Sequence, residues 1–418
     1  MDQPSAENLF GNEIQRFVSY INSLRSTNPL LMNVLSRQIK DLDEKIKGLM
    51  DEHALEKREK QISDNTQQTI YILKADAKTQ EVRELIRQHR DLRLTETFLP
   101  KSFIVTLVSQ YDAFLGRLIR LLFHYQPNLL LSSDASLTYP QLVRFDSISE
   151  ARDYIVEKIS ENVLRGSHAG QIYWLEKKLK ISLRKGLDIW PKFIELTERR
   201  NLFVHTDGRV SSQYLGVCAE HEVQLPDDLQ KDDFLNVSSE YFLEACDIIF
   251  EMGVKLAHVL WRKIVPDERK IADANLNGIC YELIRAEQYK LALRLLEFAT
   301  DSVKKHSSEE IYLYMLVNRA QALKWLGADD ECHELISSVD WSAKSLIFKL
   351  AYAVLSDDFD QAAAYMKKLG PTNDDINQHY YHEWPLFRRF RESPQFLEAY
   401  KSLFGENYQE LVTEDDAS

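Results

Sequence analysis

Three residues that can carry out acid–base chemistry beside an anion lie close together in the chain: Arg200, Asn201 and His205. A histidine side chain exchanges a proton near neutral pH, because its ordinary pKa is about 6.5. An arginine guanidinium presents a planar pair of donors to phosphate oxygens and stabilises negative charge that develops on them. Asn201 can donate to phosphate or hold His205, which lies one helical turn further along. These residue types together can combine proton transfer with the binding of an anion.

These residues lie in the C-terminal half of a helix predicted from about Pro191 to Thr206. Asp188 is the expected N-cap, and Gly208 is expected just past the last turn. With a step of about 100° per residue, Arg200 shares a face with four apolar side chains, Phe193, Leu196, Phe203 and Val204. An arginine on such a face is costly unless it is paired or opens onto a cleft. Arg200 therefore marks a candidate functional site.

The same helical projection places Asn201 and His205 along one edge of that face, with Arg200 and His205 about 140° apart. One ideal helix therefore does not direct both side chains at a single phosphate group. Two other interpretations stay open: Arg200 could pair with a buried carboxylate, and His205 could be a cation at a helix C-terminus. Arg199 is expected at the surface.

The composition predicts an all-α globular protein. Of the 418 residues, 44% are hydrophobic and 28% are charged, and the length allows two or three domains. Only 13 glycines and 11 prolines separate long apolar-periodic runs, which favours helices. No run approaches the roughly 18 apolar residues of a membrane span, so no membrane contact is expected. The four cysteines show no paired spacing, which favours a cytoplasmic location: Cys218, Cys246, Cys280 and Cys332.

The formal net charge of −13 argues against a surface that coats nucleic acid. The stretch from Glu176 to Arg209 reverses this sign, with nine basic side chains against five acidic ones and a local net charge of +4. Any contact with nucleic acid is therefore expected to be local. The alternative is an ordinary solvated helix surface.

The elements around the motif are also expected to be helices. Residues 1–95 are predicted to be a polar helical extension, with a two-heptad pattern at Ile39, Leu42, Ile46 and Leu49. A strongly apolar helix is predicted from about Ser102 to Tyr125, with Asp112 and Arg117 as surface charges off its stripe. Ser147 to Glu150 matches a capping box. Further helices are expected at about 168–180 and 239–264, with an irregular stretch at 208–238 between them.

A linker at Pro266–Lys270 precedes a segment in which the spacing of apolar residues changes to a repeating pattern of paired helices. Helices that open at Tyr289, Asp329 and Phe359 each follow an earlier apolar helix, and a last hairpin is expected near residues 383–405. This pattern resembles tetratricopeptide-like helical hairpins. The predicted domains are therefore an N-terminal extension (1–95), a helical bundle (96–265) and a short helical repeat array (270–412).

The run Arg200-Asn201-Leu202-Phe203-Val204-His205 resembles the arginine–histidine signature of HEPN ribonucleases, helical-bundle proteins found among bacterial toxins and phage-defence effectors. The count and order of the helices between about residues 95 and 265 are similar as well. The resemblance implies a HEPN-like bundle and a metal-independent endoribonuclease without cofactor, with Arg200, Asn201 and His205 as its catalytic residues. It also implies a homodimer in which the motifs of two subunits line one cleft.

We therefore expect a toxin or anti-phage effector that cleaves an RNA substrate, with a protein or ligand trigger at the repeats. Two alternatives belong to other classes. The bundle could be a catalytically silent HEPN-like module for binding or dimerisation, or the repeats could be a scaffold whose bundle only pairs subunits. The intact arginine–asparagine–histidine set favours the ribonuclease over the silent module.

Overall fold

The computed structural model describes residues 8–63, 66–132, 136–372 and 376–409. These residues form 17 α-helices and one two-stranded hairpin, which confirms the predicted all-α fold class. They divide into two compact units, Met1–Leu256 and Ala257–Ser418. The three predicted domains stay a prediction. None of the described helices combines the length and the apolar composition that crossing a membrane requires.

The first unit is built on two long antiparallel helices, α1 (Leu9–His53) and α2 (Ala77–Tyr125). At one end of this pair the rings of Phe17 and Phe114 stack with their centroids 4.2 Å apart. Further along, Ser36 donates a hydrogen bond to Glu96 at 3.3 Å. The predicted heptad helps to hold the pair together, since its residues Ile39 and Ile46 are buried.

Two predictions for this region are wrong. Between the helices the chain forms antiparallel strands, β1 (Ala54–Ser63) and β2 (Thr66–Leu73), where helix was predicted. Threonine, isoleucine and tyrosine favour this structure in β2. In addition, α2 does not begin after Pro100 but runs through it, and Pro100 is buried. Packing against α1 supplies the contacts that outweigh the local break that a proline causes.

Six shorter helices complete this part of the chain: α3 (Tyr139–Leu142), α4 (Ile148–Leu164), α5 (His168–Leu179), α6 (Trp190–Thr206), α7 (Ser212–Glu220) and α8 (Ser239–Ile264). The predicted cap of α4 is confirmed, because the Ser147 hydroxyl accepts the Glu150 N–H at 3.1 Å. The stretch predicted to be irregular contains α7. This helix packs its Tyr214 and Cys218 against Leu202 of α6, a tertiary contact that its short sequence pattern did not reveal.

The second unit contains nine helices after the end of α8: α9 (Arg269–Arg285), α10 (Tyr289–Glu297), α11 (Glu309–Trp325), α12 (Asp329–Ser337), α13 (Leu346–Leu355), α14 (Phe359–Leu369), α15 (Gln378–Glu383), α16 (Arg388–Arg391) and α17 (Pro394–Phe404). The predicted starts of α10, α12 and α14 are confirmed. Aromatic rings fill the core of the last hairpin, where Tyr381, Phe387 and Phe396 are fully buried. The likeness to tetratricopeptide repeats stays a prediction.

The three pairs α9–α10, α11–α12 and α13–α14 share one turn geometry. Each turn has three residues, and its middle residue takes a left-handed conformation: Glu287, Gly327 and Asp357, with φ of 56°, 77° and 57°. The next N–H donates to a carbonyl five residues earlier in all three turns: Gln288 to Leu283, Ala328 to Leu323 and Asp358 to Ala353. This is the Schellman arrangement, which satisfies carbonyls that a helix end leaves unpaired.

Candidate active site

The predicted motif lies on α6, and the predicted bounds of that helix are confirmed. Its N-cap is Ile189 and not Asp188, with Pro191 at the second helical position. Beyond the last turn, Asp207 and Gly208 both take left-handed conformations, with φ of 52° and 89°. The Lys101 ammonium of α2 donates to the carbonyl oxygen and to Oδ1 of Asp207, at 2.9 and 3.0 Å. This contact fixes the motif end of α6 against α2.

Arg200 is held by a carboxylate from another helix. Its side chain is 23% exposed, and its Nη2 donates to Oδ2 of Asp112 on α2 at 3.0 Å. Its Nη1 donates to the Asn201 side-chain oxygen at 3.1 Å. The carboxylate pairing that the sequence left open for Arg200 is therefore present.

Asp112 joins two basic groups, so its predicted role as a surface charge is wrong. Its Oδ1 lies 2.9 Å from His168 Nε2, while its other oxygen binds Arg200. Arg117, the other predicted surface charge, is only 17% exposed and pairs with Glu13. Sequence reasoning missed these roles because both partners of Asp112 and the partner of Arg117 come from distant parts of the chain.

His168 belongs to this candidate site, and the sequence did not indicate it. It is the first residue of α5, its side chain is 7% exposed, and its ring lies 5.9 Å from the ring of Phe193. The sequence shows only that a histidine follows the N-cap Ser167. This position alone does not indicate that the His168 ring contacts Asp112 of a distant helix. In the fold, His168 connects α5 to the ion pair between α2 and α6.

Asn201 binds residues of its own helix. Its amide nitrogen donates to Glu198 Oε1 at 3.3 Å, and its oxygen accepts from Arg200. Glu198 is 9% exposed, so this amide extends a polar network into the protein interior. These contacts orient Asn201 toward Arg200, and none of them involves His205.

His205 is exposed on the last turn of α6. Across the described ranges of the chain, no hydrogen bond or ion pair involves its ring. Val204 is 48% exposed, which corrects the predicted apolar face, because Leu202 instead is buried beneath α7. The chain therefore directs Arg200 toward α2 and leaves His205 open to solvent, and the two side chains are not brought together.

The prediction that Arg199 lies at the surface is wrong. Its side chain is 15% exposed, its Nε donates to Glu195 Oε1 at 2.6 Å, and its guanidinium lies 4.0 Å from the ring centroid of Tyr241. Glu195 also accepts the hydroxyls of Tyr214 and Tyr241, at 2.7 and 2.8 Å. Burial and the Glu195 carboxylate raise the pKa of Tyr214, which keeps its hydroxyl a donor. This cluster ties α6 to α7 and α8.

The geometry thus separates an anchored cation from an accessible imidazole on one helix. Asp112 and Asn201 hold the two terminal guanidinium nitrogens of Arg200, and its Nε is buried without a hydrogen-bond partner, while 23% of the side chain as a whole is exposed. The imidazole of His205 is accessible from solvent on the last turn of the same helix. Comparisons of the chain with models of protein families, with curated proteins and with solved structures found no match.

Proposed function

We propose that this protein is a metal-independent endoribonuclease of HEPN type, with Arg200, Asn201 and His205 as its catalytic residues. The observation that carries the proposal is the preorganised arginine on the helix that also presents an exposed histidine. Developing charge is stabilised best by donors that are already held in place. The Asp112 carboxylate and the Asn201 amide hold Arg200 in this way.

In the proposed reaction the ribose 2′-oxygen attacks the adjacent phosphorus and the 5′-oxygen of the next nucleotide leaves. One proton leaves the attacking 2′-hydroxyl and one is added to the leaving 5′-oxygen; His205 carries out one of these two transfers and water carries out the other. Arg200 binds the equatorial oxygens, on which negative charge increases. The products are a 2′,3′-cyclic phosphate and a 5′-hydroxyl, and no water is consumed in this step.

The active species in this proposal is a homodimer. Arg200 is directed toward α2 while His205 faces solvent, so a second α6 is needed to complete a cleft that contains both groups. A two-fold contact places the same helix on both sides of such a cleft. A cytoplasmic toxin or anti-phage role, with a protein or ligand trigger at the helical repeats, belongs to the same proposal.

One observation favours a second candidate function, a catalytically silent module for binding or dimerisation. The ion pair between Arg200 and Asp112 links α6 to α2 through protein groups alone. An arginine with a purely structural role has this environment too. Activity measurements on variants distinguish the two functions.

The experiment is incubation of the purified full-length protein with total RNA in EDTA. We expect cleavage in chelator, with fragments that end in a 2′,3′-cyclic phosphate. His205→Ala should lower the rate by about 10²- to 10⁴-fold and leave RNA binding largely intact. His333→Ala is the matched control, because His333 is exposed on α12 and should be dispensable.

Two further variants examine the neighbouring roles. Arg200→Lys should lose about 10²- to 10³-fold, because an ammonium keeps the charge but lacks the forked donors. Asn201→Ala should have a milder effect, since Asn201 orients Arg200 and transfers no proton. A folded His205→Ala protein that cleaves RNA at the wild-type rate would contradict the proposal. Products that carry a 5′-phosphate would contradict it as well.

A further inference from the structure

A shallow and widely open cleft of about 410 Å³ lies where α5 ends and α6 begins, and the catalytic proposal does not use it. Its lining comes from the end of α5, the loop at residues 181–189 and the first residue of α6: Glu176, Ile181, Ser182, Arg184, Lys185 and Trp190. All of these residues belong to the stretch that reverses the charge of the chain. We propose that this cleft binds single-stranded RNA, with a base stacked on the adjacent Tyr173 and phosphates beside Lys177, Lys180 and Lys185. This inference rests on the proposed function, since it assigns the substrate path of the same site.

The loop that forms the wall of the cleft is held in place by hydrogen bonds to Glu176. The Glu176 carboxylate accepts the backbone N–H groups of Leu183 and Arg184, at 2.8 and 3.1 Å. The Arg184 side chain returns to the same carboxylate, with Nε at 3.0 Å and Nη2 at 2.7 Å. Glu176 is 12% exposed, and its negative charge is paired with Arg184. This carboxylate therefore does not repel a phosphate in the cleft. The loop is therefore held in shape by contacts within the chain.

Aromatic rings flank this arginine. The Arg184 guanidinium carbon lies 5.9 Å from the ring centroid of Tyr173 and 5.8 Å from that of Trp190. Trp190 is buried, whereas Tyr173 is 57% exposed, which leaves much of a large flat ring open to solvent. Base stacking on an exposed aromatic ring is how proteins bind single strands with little sequence preference.

The charges around the cleft suit a nucleic-acid backbone. Lys177, Lys180 and Lys185 are exposed, and Glu176 is neutralised by Arg184. Of these lysines Lys185 lines the cleft, and the loop also holds one exposed acidic residue, Asp188. Basic side chains beside an exposed aromatic ring are the second part of a single-strand site, because they contact the phosphates. The net charge of −13 makes such a local basic region the part of the chain best suited to RNA.

The distance from the cleft to the catalytic helix turn is short. Trp190 begins α6 and Arg200 lies ten residues further on, which is about 15 Å along the helix axis. On the neighbouring helix, Tyr173 and His168 belong to the same α5. A few nucleotides of extended single strand span such a length, so one RNA strand can reach both places.

The test uses fluorescence anisotropy with two labelled probes. One is a single-stranded 2′-O-methyl RNA of about twelve nucleotides, which cannot attack its own phosphates and so stays intact. The other is an abasic strand of the same length, which keeps the phosphates and lacks bases. Tyr173→Ala should weaken binding of the RNA by about 5- to 100-fold and leave binding of the abasic strand unchanged. Tyr173→Phe should restore RNA binding, because the ring is retained.

Lys185→Glu should weaken binding of both probes and flatten the dependence of affinity on salt, because a phosphate contact is lost. Lys158→Glu, which makes the same charge change at an exposed site on α4, is its control. Tyr154→Ala, at a 40% exposed tyrosine of α4, is the control for Tyr173. Equal binding of RNA by wild type and Tyr173→Ala would overturn the proposal, as would equal losses for both probes.

The two proposals fail separately. If RNA is not cleaved but its binding depends on Tyr173 and Lys185, the cleft stands and the ribonuclease is wrong. If cleavage depends on His205 while Tyr173→Ala leaves binding and KM unchanged, the ribonuclease stands and the cleft is wrong.

Discussion

Asp112 and Arg200, which are 88 residues apart in sequence, form a 3.0 Å hydrogen-bonded ion pair between α2 and α6. About a fifth of each side chain is exposed, at 22% and 23%. The second oxygen of Asp112 lies 2.9 Å from His168 Nε2. This one carboxylate therefore sets the position of the proposed catalytic arginine and joins three helices.

Removal of the Asp112 charge should affect stability and activity together. Asp112→Asn weakens hydrogen bonds to a charged partner, so the free energy of unfolding should fall by about 2 kcal/mol in urea denaturation. RNA cleavage should fall as well, because Arg200 is no longer held. Asp153→Asn is the control; its pair with Arg152 is exposed and should contribute less than about 1 kcal/mol. Unchanged stability of Asp112→Asn would show that the pair is not a structural anchor.

Local patterns predicted the elements that carry the site. Apolar periodicity and a proline near the first turn were sufficient for α6, and a capping box was sufficient for the start of α4. The helix starts at Tyr289, Asp329 and Phe359 also follow from short-range sequence signals. These features depend on residues within a few turns of each other, which is the range that a sequence pattern reports.

The contacts of the site depend on distant residues and could not be predicted in the same way. Arg199 and Arg200 are adjacent in sequence, yet Arg199 pairs with Glu195 of its own helix and Arg200 pairs with Asp112 of α2. A helical projection shows the direction in which each side chain leaves the helix. It does not show which other element of the fold packs on that side. For the same reason α7 was missed, and with it the burial of Leu202 and the exposure of Val204.

The left-handed residue in the turn between α11 and α12 gives a prediction about stability. Gly327 has φ of 77°, and a Cβ built there has open space around it, so a substitution acts through backbone conformation alone. Gly327→Ala should lower the free energy of unfolding by about 1 kcal/mol, and Gly327→Asn should lower it less. Gly278→Ala should have the opposite sign, because Gly278 lies inside α9 with open space and gains helix propensity. Equal effects at both positions in thermal or urea unfolding would contradict this account.

His258 gives a prediction about pH. Burial lowers the pKa of this fully buried histidine to about 3, and the nearby Arg262 guanidinium adds to that effect, although Asp273 opposes it. The unfolded chain binds a proton near pH 6.5 and the folded chain does not, so stability is complete above that pH and is lost as pH falls toward 3. The loss from this group between pH 7 and pH 5 should be about 2 kcal/mol.

The measurement is the free energy of unfolding in urea across that pH range. His258→Phe keeps a ring beside Trp261, whose centroid lies 5.9 Å away, but cannot be protonated. Its stability should therefore change less between pH 7 and pH 5 than that of wild type. His333→Phe, at an exposed position, should retain the wild-type slope. A slope for His258→Phe identical to that of wild type would exclude His258 as its source.

The last prediction concerns the proposed composite site. Because Arg200 is directed toward α2 and His205 toward solvent, we expect each site to take Arg200 from one subunit and His205 from the other. Arg200→Ala and His205→Ala should then be inactive alone, but their equimolar mixture should recover about a quarter of wild-type activity. Half of the dimers in the mixture contain both variants, and each of these has one intact site of two.

A mixture of the Arg200→Ala/His205→Ala double variant with either single variant is the control, because it contains no intact site and should stay inactive. Recovery requires subunit exchange, which sedimentation of differently labelled variants measures directly. If the variants exchange and activity does not return, both groups act within one subunit. Full activity of a protein that sediments as a monomer would lead to the same conclusion.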